Sequence, residues 1–224
     1  MEILRKIDLF QKEIHGLRPM EGEMLGQIQD YYRIGLTWTS NALEGNSLTE
    51  SETKVLLEDG LTVGGKPLRD VLEAVDHARA YDFMFSVFRD RRIDEQTVLK
   101  MHGLFYQNIE PGYAGRYRDV RVLITGSQYP VAAPEKIQRE MDRLFAWVQK
   151  EREGYHPVEF AAQLHKRFVF IHPFRDDGVI IGTRLEKPSK INGFALLSPN
   201  FFMPERENGI TSLLHILLAS SMKV

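Results

Sequence analysis

Val169-Phe170-Ile171-His172-Pro173-Phe174-Arg175-Asp176 is an apolar helical run that delivers a histidine into a turn and follows it with an acid. A histidine at the end of a packed helix has its backbone fixed, so its ring can be aimed at a reacting hydroxyl and act as a general base near neutral pH. The same His172 also reads as a simple helix C-cap, where the helix dipole favours the charged ring. The surrounding chain decides between the two readings.

Immediately upstream, Phe160, Ala161, Leu164, Phe168 and Ile171 form the apolar side of a helix that starts after Gly154 and Pro157. Pro134 opens an earlier helix whose stripe is Ile137, Met141, Leu144, Phe145 and Val148. His165 lies near two turns before His172, but no third ligand is spaced to complete a metal centre with them. Further back, Gly112 to Arg118, then Val120, Val122 and Ile124 around a Gly126-Ser127 turn, read as a short β-hairpin.

Still further outward the pattern is helical throughout. Ile93 to Tyr106 has Val98, Met101, His102, Phe105 and Tyr106 inside, with His102 read as a packed histidine. Leu68 to Phe88 carries Leu68, Leu72, Val75, Tyr81 and Phe85, and its His77 reads as structural or solvated. Thr49-Glu50-Ser51-Glu52 is a capping box that starts a helix through Leu57. Before it, Ser40 to Asn46 ends a helix begun after Pro19, with a glycine in the left-handed position. The aromatic stripe of that helix, Tyr31 and Tyr32 included, reads as core. Ile3, Ile7, Phe10 and Ile14 mark an opening helix.

Bulk properties exclude several function classes. The 224 residues, 43% hydrophobic, are ample for one buried core. A net charge of −2 leaves no general nucleic-acid or membrane footprint, so neither partner is expected. Zero cysteines exclude disulfides and thiolate chemistry. The amphipathic opening is not a signal peptide and no apolar run approaches a membrane span, which makes a cytoplasmic location the default.

The His172 stretch resembles the start of the Fic family signature, His-x-Phe-x-(Asp/Glu)-Gly-Asn-Gly-Arg-x-x-Arg, with His172, Phe174 and Asp176 in place. Ser40-Asn41-Ala42-Leu43-Glu44-Gly45 is similar to the inhibitory motif of class II members, (Ser/Thr)-x-x-x-Glu-(Gly/Asn), and precedes the signature as it does there. The Gly115-Arg116-Tyr117-Arg118 turn, the hairpin between the two motifs and Ile191-Asn192-Gly193-Phe194 extend the likeness. The resemblance implies a mainly α Fic-type helical bundle with a short β-hairpin flap. Residues 1–110 would be N-terminal helices with the inhibitory motif, and 111–224 the Fic core, in one continuous unit.

The implied activity is transfer of AMP from ATP to a side-chain hydroxyl of a protein substrate bound at the flap. His172 would be the catalytic base and Asp176 the Mg²⁺ ligand, with Gly178 and Arg184 at the nucleotide. Ser40 and Glu44 would be inhibitory, and Leu123, Ile124, Thr125 and Gly126 would form the flap. Two other readings stand beside this one: a catalytically inactive Fic-fold protein that binds a peptide or nucleotide, and a helical interaction module in which His172 only caps a helix. In the tail, Leu213, Leu214, Ile216, Leu217 and Leu218 suit a final packing helix or a homo-oligomer contact.

After Asp176 the likeness stops. Asp177-Gly178-Val179-Ile180 stands where the signature has Gly-Asn-Gly-Arg, and Thr183 stands where it has its second arginine, with Arg184 one position late. A Gly-Asn-Gly turn offers backbone N–H groups to phosphate oxygens, and arginine neutralises the charge that develops in transfer. Asp177 instead places a like charge there, and Val179 and Ile180 obstruct without donating. Pro188 would also break a following helix at the residue before it.

A loss confined to residues 177–190, intact on either side and one residue short, has the shape of two compensating reading-frame shifts in the gene or its sequencing. The coding DNA is therefore expected to hold a Gly-Asn-Gly-Arg reading in a neighbouring frame across this stretch. Resequencing that returns the same codons in every read, with no such reading nearby, would overturn the frame-shift account.

Overall fold

The computed structural model describes residues 2–17, 22–43, 45–90, 93–122 and 130–175. Among them the chain forms seven α-helices: α1 (Glu2–Leu17), α2 (Gly22–Leu43), α3 (Glu50–Asp59), α4 (Leu68–Asp90), α5 (Glu95–Tyr106), α6 (Ile137–Glu151) and α7 (Pro157–Ile171). Short 3-10 turns at Pro134–Lys136 and Arg152–Gly154 flank α6. The mainly α class expected from the sequence is the class found.

Local chemistry sets the helix ends. α2 closes with the paired bonds of a Schellman motif, Gly45 N–H to the Ala42 carbonyl and Asn46 N–H to the Asn41 carbonyl, both 3.0 Å, with Gly45 at φ 87°. The capping box of α3 forms as read: Thr49 Oγ1 accepts from Glu52 N–H, and Glu52 accepts from Thr49 N–H at 2.7 Å. Asp94 caps α5 by accepting from Thr97 N–H at 2.9 Å. His156 caps α7, with Pro157 in its first turn, where a missing N–H costs nothing.

Three apolar clusters hold the helices together. Leu48, Leu56, Val71 and Ala74 join α3 to α4. Tyr32, Ala80, Tyr81, Met84, Phe105 and Tyr106 join α2, α4 and α5. Val98 of α5, the stripe of α6 and the apolar face of α7 form the third, with Phe174 inside it. α5 thus contributes to two clusters at once.

Several sequence expectations are corrected by exposure. Tyr31 is 68% exposed, because Tyr32 points inward and successive helical residues lie about 100° apart. Leu68 is 71% exposed at the first position of α4. On α1, Ile3 and Phe10 are exposed. One contact of that helix with the rest is Asp8, whose carboxylate lies 3.1 Å from His156 Nε2. In the stretch read as a hairpin, the described residues 112–122 form turns and extended chain with no strand, and residues 123–129 lie outside the described set.

His77 proves structural rather than solvated. It is buried on α4, with Nδ1 3.0 Å from Thr37 Oγ1 of α2 and its ring edge-on to Phe105. Nε2 finds no hydrogen-bond partner among the described residues. Burial therefore pushes its pKa down to about 4 from the ordinary 6.5. A histidine kept neutral when folded takes up its proton only on unfolding between those values. Its contribution is complete above pH 6.5 and is lost as pH falls toward 4. Urea denaturation at stepped pH is expected to show stability falling across this window, and His77→Gln to flatten the slope. An unchanged slope in the variant would remove His77 from the account.

Candidate active site

At the end of α7, His172 takes the left-handed conformation, φ 49° and ψ 65°, and is the one non-glycine residue with positive φ among the described residues. This conformation costs a side-chain-bearing residue about 1–3 kcal/mol, so neighbouring bonds must fix it. His172 N–H donates to the Phe168 carbonyl at 2.9 Å and closes the helix. The peptide that follows is held from another segment: Arg118 N–H donates to the Pro173 carbonyl at 2.9 Å, and Arg118 Nε donates to the His172 carbonyl at 2.7 Å.

Arg118 is itself buried, 4% exposed. Its other two nitrogens donate to the Val120 carbonyl at 2.7 Å and the Ala132 carbonyl at 2.5 Å. The planar guanidinium suits such divergent acceptors, since its donors are fixed in a fork.

Phe174 is 1% exposed and anchors the turn from inside. The His102 ring lies parallel to it, centroids 3.8 Å apart with planes 5° apart, and Tyr106 flanks the other aromatic neighbour at 4.7 Å from His102. His102 Nδ1 accepts from Gly115 N–H at 3.0 Å, which leaves the proton of the neutral ring on Nε2. Gly115 has φ 69°, and a Cβ there would lie 3.1 Å from the Leu99 carbonyl oxygen. A side chain at 115 would therefore press on α5 and also sit in a left-handed backbone conformation, so glycine is the residue that fits without strain. Arg175 covers the outer side, its guanidinium 4.1 Å from the Tyr113 ring centroid.

Of the residues assigned to the site from the sequence, His172 is placed here and Ser40 lies half-buried in the last turns of α2. Glu44, Asp176, Gly178, Arg184 and Leu123, Ile124, Thr125 and Gly126 lie outside the described residues. His165 is half-buried on α7, its pKa lowered by burial. Among the described residues no group of three or more His, Asp or Glu side chains could hold a metal. What sequence reasoning missed is Arg118, because its acceptors are backbone carbonyls and leave no side-chain signature. The one signal was its place in a glycine turn.

The seven helices, with His172 closing α7 and Phe174 buried behind it, make a helical domain whose relatives give its class. Residues 92–177 match the Fic/DOC family, and the chain belongs to it. It is 31% identical over 178 residues to Protein adenylyltransferase Fic of Nematostella vectensis, a match covering 78% of this chain and 41% of that protein. To Protein adenylyltransferase fic-1 of Caenorhabditis elegans it is 30% identical over 139 residues, 60% of this chain and 27% of the relative. The matched stretch thus spans less than half the length of these relatives.

Among solved structures, a Fic domain containing signaling protein from Bacteroides thetaiotaomicron superposes with TM-score 0.70 at 27% identity, covering 95% of this chain and 72% of that one. The C. elegans Fic-1 structure shares the fold, with TM-score 0.69 at 23% identity, covering 98% of this chain and 57% of that one.

Two substitutions test the packing of the turn. Phe174→Ala is expected to destabilise the chain by about 3–5 kcal/mol through the cavity it leaves. Gly115→Ala is expected to cost about 1–3 kcal/mol through backbone strain, with the Leu99 carbonyl adding to it. Denaturant titration reads both, and a loss below about 0.5 kcal/mol in either would refute the stated contact.

Proposed function

We propose that this chain is a Fic-type protein adenylyltransferase domain with a competent base and an impaired nucleotide site. The observation that carries the reading is His172: a strained backbone position at a helix end, fixed by Arg118 and the buried Phe174 ring. Fixing the peptide fixes the Cα–Cβ direction from which the ring departs and so narrows where it can reach, which helps a general base meet a target hydroxyl. The names of the relatives, protein adenylyltransferases, support the substrate class, a protein side chain. The division into N-terminal helices, residues 1–110, and a Fic core, residues 111–224, belongs to the same proposal, as does a cytoplasmic site of action.

The residues present do not fit ATP and its metal. Asp176 is one carboxylate, enough for Mg²⁺ only together with substrate phosphates. The segment that should cradle those phosphates supplies Asp177, Val179 and Ile180. Among the described residues no cluster of ligands offers a substitute. What the chain's own residues supply is proton acceptance at His172 and orientation of its ring. In the same proposal Ser40 and Glu44 restrain the site, and residues 123–126 form the flap that receives the protein substrate.

Losing one electrostatic group of this kind typically costs ~10² to 10³ in rate, and several are lost together. Mass spectrometry of the chain after incubation with ATP and Mg²⁺ is expected to show no AMP adduct. The quadruple variant D177G/G178N/V179G/I180R is expected to show one, which grows with Glu44→Gly and disappears with His172→Ala. An adduct on the unaltered chain would overturn the impairment. No adduct on the quadruple variant, with Glu44→Gly included, would favour a Fic-fold binding protein over an enzyme.

A further inference from the structure

We infer that Arg118 is the positioning residue of the His172 base, acting through backbone carbonyls and not through contact with any substrate. The inference rests on the reading of His172 as the base and goes beyond it, by naming what aims the ring. Three different nitrogens of one guanidinium meet three carbonyls from three places in the chain: His172, Val120 and Ala132. A fourth bond, from Arg118 N–H to the Pro173 carbonyl, brackets the His172–Pro173 peptide from the same residue. Two consecutive carbonyls at the candidate base are therefore held by a single side chain and its own backbone.

The geometry makes this more than packing. His172 sits in a left-handed conformation that a residue with a Cβ leaves when it is free to do so. Relaxation to an ordinary conformation would swing the His172 carbonyl away from Arg118 Nε and redirect the imidazole. A charge-assisted bond of 2.7 Å opposes that rotation directly. Val120 and Ala132, which fix the other two arms of the fork, lie in the chain on either side of residues 123–129. The orientation of the base is thus referenced to both of these chain positions.

Lysine cannot reproduce the arrangement, because one ammonium on a flexible stem cannot span three carbonyls held in a fork. Arg118→Lys keeps the charge and removes the geometry, and Arg118→Gln keeps a planar donor group without the charge. A structural contribution alone would lower stability and loosen the whole domain. A positioning role predicts a local effect instead.

The test is hydrogen exchange and the ¹H–¹³C NMR shifts of the His172 imidazole at fixed pH on the full chain, wild type against Arg118→Lys and Arg118→Gln. The expected result is exchange about tenfold or more faster at the amides of Arg118 and His172, the size of one lost charged hydrogen bond. The Tyr81 amide in the α2–α4–α5 cluster is expected to hold its rate. The His172 ring ¹H–¹³C shifts at fixed pH should move, while those of His165 on α7 should stay.

Exchange that rises equally at Tyr81, or His172 ring shifts that do not move, would overturn the inference. If Arg118→Gln does not fold, Arg118→Lys decides by the same readouts. In the D177G/G178N/V179G/I180R background, Arg118→Lys is expected to lower kcat for AMP transfer about tenfold with KM for ATP unchanged. An inactive background would sink the enzyme reading and leave the NMR result to judge Arg118 alone.

Discussion

One aromatic contact bears on every part of this site: the His102 ring laid flat on Phe174 at 3.8 Å. Through it the turn after α7 is packed against α5, and through His102 Nδ1 the same ring fixes the Gly115 turn. Gly115 then passes close to α5 with a positive φ, a combination that glycine meets without strain. Arg118 follows three residues later and reaches the His172 carbonyl because that passage is so close. The stacked pair, the glycine and the arginine form one chain of dependence that ends at the peptide carrying His172.

Much of this was legible in the sequence. Helical periodicity located α4 to α7 because each buries one face against a neighbour, and Ile137, Met141, Leu144 and Val148 all lie inside. The capping box and the glycine exit from α2 were legible because their chemistry is local. His102 reads as packed because its flanking residues are apolar on the same face. By contrast, Tyr31 and Leu68 misled because a stripe of apolar residues does not say how wide the covering partner is. α3 and α4 cover one side of α2, and an aromatic residue one position away from that side faces solvent.

The candidate site was legible only in part for a different reason. His172 and Phe174 announce themselves by residue type and spacing. The bonds that fix His172 run to carbonyls 54, 2 and 14 residues from Arg118 along the chain. Backbone acceptors are the same at every position, so no sequence pattern marks them. Residue identity likewise gives Asp177, Val179 and Ile180 where the signature has Gly, Gly and Arg, without showing where they lie.

The double membership of α5 bears on how the chain comes apart. Val98 sits among the α6 and α7 side chains, whereas Phe105 and Tyr106 sit among those of α2 and α4. Opening either cluster exposes one end of the same twelve-residue helix, and a helix that short has little stability without its tertiary partners. Loss of either cluster thus leaves α5 held at one end alone, and the two clusters support each other through that helix.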